Sequence, residues 1–497
     1  MVLVPRKDDL KERIRGKIII TLFLGIGMLL IPVILTITDP MFIIAKYKFR
    51  LANGSILHQL LESEMEGGRY AIYLFNITNA DKFMSGEDYK LKLEEIGPFT
   101  YVEYRSHDKL KFSDSGEMSY IPRMRAQFIL EESVADTRDV QIVMPNIPML
   151  SATTILHSSP LFIKNLYSII VRELRSTAIV KMDAHKYLWG YEDPVLTVAN
   201  NLVPGLIHFK TTGILDRFYD NGTKYQMVLS TEEASKFQIK SVTKYRNAEV
   251  WSAEDIPDST TVFNDTYEGM AYPPLISTST PINIYRLGVC RTYGVEFCGI
   301  KSSEYGPNAF VYKFRNDTFY NTRLCDGKGF CPQGIMDMSR CFFGIPMAMS
   351  KGHFLDADPA LMNRIEGLKP DPGIHSSHMV IEPKIGLTLE TSLSLQVNIM
   401  VGDVSYNSDA SQFSNMVVPL AHFKIIQPEL PSIAITALRL IYITVPKVVL
   451  ITEIILVIAG LLLLGYSVKL IYTYYIFTIQ SIDEKKAETL LVKKDKN

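Results

Sequence analysis

Five cysteines, Cys290, Cys298, Cys325, Cys331 and Cys341, crowd into one stretch of a 497-residue chain. Thiols so clustered bind metal, attack a substrate or form disulfides. No Cys-x-x-Cys pair is present, so the usual zinc spacing is missing. Disulfides on an oxidising side of a membrane are the expectation. An odd count leaves one thiol over, and spacing alone leaves the connectivity open. His375 and His378 have the spacing of a helical metal pair, but they follow Pro370-Asp371-Pro372-Gly373, which reads as a loop. No Gly-x-Ser-x-Gly, His-Glu-x-x-His or Gly-rich phosphate loop occurs, so neither an enzyme nor a metal or other cofactor is expected. The formal net charge of -1 gives no support for nucleic acid as a partner.

Two apolar runs bracket these residues. Val448 to Val468 carries one charge, Glu453, and Ile18 to Thr38 carries none. As helices rising about 1.5 Å per residue, each covers the roughly 30 Å hydrocarbon core of a bilayer. The first run is too long for the core of a cleaved signal peptide. Arg6, Lys7, Lys11, Arg13, Arg15 and Lys17 precede it, and Lys469, Lys485, Lys486, Lys493, Lys494 and Lys496 follow the second. Basic flanks favour the cytosol. The expected layout is a cytosolic N-terminus (1–17), a first span (18–38), a large outer domain (39–447), a second span (448–468) and a cytosolic tail (469–497). Sequons at Asn53, Asn76, Asn221, Asn264 and Asn316 all fall in the outer segment, where they are expected to be glycosylated surface loops. Glu453 lies near the outer end of its span, which points to a helix–helix or interfacial role.

Within the outer segment the early part reads as mostly β. A short helix is expected over residues 56–66, stopped by Gly67-Gly68, then a strand at Tyr70 to Phe75. Two further strands are expected on either side of a turn at Gly97-Pro98. From Ile155 to Val180 the period becomes helical, with Phe162, Leu166, Ile169, Ile170 and Leu174 on one face and Lys164, Ser168, Arg172 and Arg175 on another. That basic stripe is either a solvated face or a docking surface for anionic ligands. Later, Leu387, Leu389, Leu393, Leu395, Val397 and Ile399 alternate with polar residues, a period of two that predicts a long strand with one apolar face.

Five motifs join these elements: Asn76-Ile77-Thr78-Asn79; Glu94 through Tyr101; Leu188-Trp189-Gly190-Tyr191 with Asp193-Pro194; Gly334 to Cys341 followed by His353-Phe354; and Ile381-Glu382-Pro383 running on to Leu395-Gln396-Val397-Asn398. In order and spacing they resemble the class B scavenger receptor family, of the fatty acid translocase and lysosomal integral membrane protein type. The resemblance implies an α+β membrane protein whose outer domain is an irregular antiparallel β-barrel enclosing a lipid tunnel, with a helical apex over about residues 147–186. It implies disulfides Cys290–Cys341 and Cys325–Cys331 within the 290–341 region, leaving Cys298 unpaired. Basic apical residues Lys164, Arg172, Arg175 and Lys181 would meet the ligand, and Leu387, Leu389, Leu393, Leu395, Val397 and Ile399 would wall the tunnel. Partners implied are fatty acids, sterols, phospholipids or lipoprotein particles, or a protein ligand at the apex. Where this family carries Pro before the histidine of His353-Phe354, this chain has Gly352. Leu490-Leu491 has the form of a dileucine sorting signal, but Lys486 stands where such signals carry an acidic residue. Plasma-membrane residence is therefore the expectation, with the endosome or lysosome membrane as the alternative.

Overall fold

The computed structural model describes residues 7–202, 209–219, 223–246, 249–250, 263–306, 308–320, 332–339, 342 and 344–494. The chain divides into two compact units, one holding both termini and the other holding residues 49–303 and 307–430.

The terminal unit is built on α1 (Lys7–Thr38) and a much longer C-terminal helix, Val445–Lys494. Both are long and apolar enough to cross a membrane. The second runs on well past Val468, since 50 residues at about 1.5 Å each exceed any bilayer core. The two helices touch where side chains are smallest. A Cβ added to Gly460 would lie 3.0 Å from the Leu29 side chain and 3.1 Å from the Gly25 carbonyl oxygen. Ser467 donates to Thr21 at 2.7 Å, Thr36 donates to Glu453 at 3.3 Å, and Lys11 donates to Ser481 at 2.7 Å. Glu453 thus has the helix–helix role expected of it.

The central unit is a large, mainly antiparallel sheet. Its middle is formed by β1 (Met65–Ile77), β2 (Leu91–Ser113), β3 (Glu117–Ile129), β4 (Met347–Lys351), β5 (His378–Glu382), β6 (Leu387–Val401) and β7 (Met416–Ile426). The order is β3-β2-β1-β7-β6-β5, with β4 also paired to β6. The path continues beyond β3 through Thr223–Ser230 and Ile239–Arg246, and beyond β5 through Asn308–Phe314, Arg291–Ser302, Ile282–Arg286 and Thr266–Tyr267. A bridge between Gln238 and Tyr267 brings the two ends together, so the sheet is a nearly closed barrel. Closure matters because an open edge exposes unpaired N–H and C=O groups.

Several sequence expectations change. Gly67-Gly68 does not stop an element: the preceding helix ends at Glu62, and the pair lies inside β1, where Gly68 faces Glu103. Gly97-Pro98 does not turn the chain either. It sits within β2, whose register with β1 shifts between Ile72 and Leu74 to absorb the irregularity. The helical stretch is broken into α2 (Ile147–Ile155) and α3 (Leu161–Glu173), because Pro160 cannot continue the first helix. Ile179–Asp183 is a strand paired with Gln141–Pro145, so Lys181 is not on a helix.

Gly460→Leu should weaken the α1 contact by about 1–2 kcal/mol, a roughly 5–30-fold fall in pairing. With cysteines placed at Thr21 and Ser467, oxidative cross-linking in membranes should fall accordingly; undiminished cross-linking would show that close approach at Gly460 is not needed.

Candidate functional site

The residues anticipated from sequence scatter. Cys298 is exposed and unpaired. Cys290 ends a short turn with left-handed backbone, φ 48°, while Cys325, Cys331 and Cys341 lie outside the described residues. Asn53, Asn264 and Asn316 are exposed, and Asn221 is outside the described residues. Asn76 departs from the surface-loop expectation: it is half-buried in β1, and its Oδ1 accepts from the Val143 N–H at 2.8 Å.

Of the basic residues of the helical region, Lys164 and Arg172 share one face of α3 and meet the 406–409 segment, while Arg175 and Lys181 lie off the helix. Lys164 lies over the Tyr406 ring, 5.3 Å from its centroid, and Arg172 donates to Ser408 at 3.3 Å with Asp409 at 4.0 Å. Arg175, past the end of α3 with φ 53°, and Lys181 are exposed. The apolar face of α3 also differs. Tyr167 and Val171 are its buried residues, with the Tyr167 hydroxyl donating to the Met149 carbonyl at 3.1 Å. Anchoring that face turns Phe162, Leu166 and Ile169 to the surface, Phe162 being 68% exposed.

The six apolar residues of β6 run as expected, and from Leu389 to Ile399 they are buried. Leu395 pairs with Phe423 and Val397 with Ala421, and Phe423 pairs in turn with Ile72 of β1. The opposite, polar face is buried as well: Ser394 is 2% exposed and Gln396 and Asn398 are 0%. The 352–377 segment covers it. The His353 N–H donates to Gln396 Oε1 at 2.8 Å, and the Ser394 N–H donates to Ser377 Oγ at 2.9 Å.

Under that cover lie three buried histidines, two of them joined to the exposed Glu95 of β2. His422 on β7 donates from Nδ1 to Glu95 Oε1 at 3.1 Å, and its Nε2 accepts from the Ser394 hydroxyl at 2.8 Å. His353 donates from Nε2 to the same Glu95 oxygen at 2.9 Å. The Lys369 N–H donates to His353 Nδ1 at 3.0 Å, and the Asp371 N–H donates to His375 Nδ1 at 3.0 Å. His375, at the end of the Pro372–His375 turn of helix, stacks on His353 with ring centroids 4.2 Å apart. These partners assign the proton on each neutral ring.

His353, His375 and His422 each offer a ring nitrogen within 4.8 Å of the others, the usual density of a metal site. Their tautomers argue otherwise. A backbone N–H at Nδ1 leaves the proton of His353 and His375 on Nε2, so both rings present donors where a metal needs lone pairs. Ser394, His422 and Glu95 also follow the nucleophile–base–acid order of a hydrolytic relay. The Gly352 backbone is packed against Ser394, and a Cβ there would collide with Oγ.

What the cluster does is hold charge. Burial alone would raise the pKa of Glu95, but hydrogen bonds from His353 and His422 outweigh it and bring it down to about 2. Burial pushes His375 down to about 4, with His353 and His422 adding to the effect. The pair His375 and His378 is split, His378 instead facing Glu390 at 3.0 Å. Sequence reading missed the cluster because its members sit on separate elements; the signal available was that Glu95 and His353 lie in two of the five motifs. A second polar group lies elsewhere in this unit, where Tyr70 and Tyr219 both donate to Glu103, itself paired with Arg105. A nearby cavity lined by Leu61, His107, Met118, Tyr120 and Glu268 is the size of about one water, too small for an acyl chain.

Glu95 binds its proton less readily in the folded state than in the unfolded chain, so its stabilisation is present above about pH 4.5 and is lost as pH falls through about 2. Glu95→Gln should therefore lower unfolding stability at pH 7 by about 1.5–3 kcal/mol and flatten the acid limb between those values. Denaturant titrations across pH check this; an unchanged stability at pH 7 would contradict it.

Comparison with known proteins places the site in a family. The family model described as CD36 family matches residues 18–471. The chain is 27% identical to scavenger receptor class B member 1 of Bos taurus, over 71% of this chain and 69% of that protein. It is 28% identical to lysosome membrane protein 2 of Homo sapiens, over 70% of this chain and 72% of that protein. A match that takes in both apolar helices and nearly all of the sheet between them leaves one conclusion: the chain belongs to the CD36 family.

Proposed function

We propose that the chain is a scavenger-type receptor of the plasma membrane, with both termini cytosolic, that binds lipids or lipoproteins and passes lipid through its barrel to the bilayer. The observation that carries this reading is the family match running from the first apolar helix through the last. The buried apolar face of β6, with Leu393, Leu395, Val397 and Ile399, supports it as one wall of the conduit. Such a lining removes a large barrier. At about 0.8 kcal/mol per CH₂, a chain of roughly 16 carbons crossing water bare faces a penalty on the order of 12 kcal/mol. The process requires no nucleophile, metal or cofactor. Disulfides Cys290–Cys341 and Cys325–Cys331 and glycans on the exposed Asn53, Asn264 and Asn316 belong to the same reading. Cells expressing the protein should take up labelled fatty acid or sterol, and Val397→Arg, which sets a charge in the proposed wall, should reduce uptake by about tenfold or more at equal surface expression. Uptake no greater than in untransfected cells would refute the transport reading.

A second reading is a trafficking receptor of the endosome or lysosome membrane that holds a protein ligand on the helical region. The apolar surface of Leu161, Phe162, Leu166 and Ile169 favours it, and one relative is named as a lysosomal membrane protein. Such a surface, flanked by Arg172 and Arg175, suits an amphipathic partner. Phe162→Asp with Leu166→Asp should abolish partner capture and leave lipid uptake intact; unchanged capture would remove this reading.

A further inference from the structure

The 352–377 segment meets β6 through the His353 N–H on Gln396 and through Ser377 on the Ser394 N–H, and it folds back on itself through two imidazoles, His353 and His375, whose proton inventory is fixed by their neighbours. His422 can take a proton without losing a contact. Its Nε2 accepts from the Ser394 hydroxyl, which can rotate and accept instead, while Glu95 balances the charge. No second proton has such a place. Nδ1 of His353 faces the Lys369 N–H and Nδ1 of His375 faces the Asp371 N–H, and a backbone N–H cannot turn from donor to acceptor. A proton at either nitrogen sets donor against donor. It also brings a second cation within 4.8 Å of the first, around a single carboxylate. We propose that this cluster is an acid-operated latch, in which proton uptake at Nδ1 of His353 or His375 expels the backbone N–H of Lys369 or Asp371 and releases the 367–377 segment from the two rings.

The titratable groups facing the three rings, among the described residues, are Glu95 from β2, Tyr73 from β1, whose ring stacks on His422 at 5.6 Å, and Asp371 from the Pro372–His375 turn. Only Glu95 and Asp371 favour a charged imidazole here, and burial of His375, 5% exposed, outweighs both. Its proton affinity in place corresponds to about 4 against an ordinary 6.5. The sign follows: the released ring binds protons more readily than the seated one, so the seated state loses ground as pH falls below about 6.5. Between pH 7.5 and 5.0 the shift favours release by roughly 30-fold. The latch does not depend on lipid transport and applies to the protein wherever its outer domain meets an acidic compartment.

Hydrogen exchange of the full-length protein in phosphatidylcholine nanodiscs, corrected for intrinsic rates, tests it at pH 7.5, 6.5 and 5.0. Peptides within 367–377 should lose protection by about 30-fold on acidification, while β1 and β7 do not change. In His375→Phe with His353→Phe, which keep rings but remove the proton sites, protection of the segment should no longer depend on pH, whatever its level. His378→Gln should respond as the unaltered protein does. Protection that is invariant with pH in the unaltered protein, or an equal acid loss in the double Phe variant, would overturn the latch.

Discussion

A strand buried on both faces must find partners for every polar side chain it carries, because an unpaired buried donor or acceptor costs about 1–3 kcal/mol. That constraint on β6 organises the centre of this molecule. Asn398 donates to Ser350 at 3.1 Å and accepts from Gln396 at 2.7 Å, Gln396 accepts from the His353 N–H, and Ser394 bonds His422. Apart from the Gln396–Asn398 bond within the strand, each of these bonds ties it to β4, β7 or the 352–377 cover. The last link reaches Glu95 on β2, a solvent-exposed carboxylate that two imidazoles keep ionised.

The two faces of one strand therefore carry different work. The polar face is closed by side chains that satisfy one another and by histidines whose proton balance is set by backbone N–H groups. The apolar face, Leu395 against Phe423 and Val397 against Ala421, has no such directional demands, and in the proposed reading a lipid chain slides along it. Non-directional contacts suit cargo that varies in length and headgroup, because the hydrophobic gain scales with area rather than with geometry. Anchoring α3 through Tyr167 and Val171 leaves Phe162, Leu166 and Ile169 outward, on a surface separate from the strand.

Features set by local composition were legible in the sequence. The apolar helices follow from runs of bilayer length with at most one charge, and β6 follows from a period of two held across thirteen residues. Features set by distant partners were not. The burial of the polar positions of β6 is not legible, because nothing near them in sequence shows that residues 352–377 will cover them. Gly67-Gly68 and Gly97-Pro98 read as breaks because local propensity opposes strands there, yet pairing between β1 and β2 carries both through. Phe162, Leu166 and Ile169 read as a buried stripe, since periodicity finds a face but not the neighbour it meets. The histidine cluster was the least legible, with members drawn from β2, β7 and two points of the cover, and only His375 had drawn attention for its chemistry.

The account rests most heavily on the claim that lipid travels along the apolar face of β6. Photoactivatable fatty acid and sterol probes, cross-linked to the protein in native membranes and mapped by peptide sequencing, test it directly. The account predicts adducts on Leu393, Leu395, Val397 and Phe423, competed away by unlabelled lipid. Adducts confined to the terminal helices and to the exposed side chains of α3, with none on β6 or β7, would contradict it.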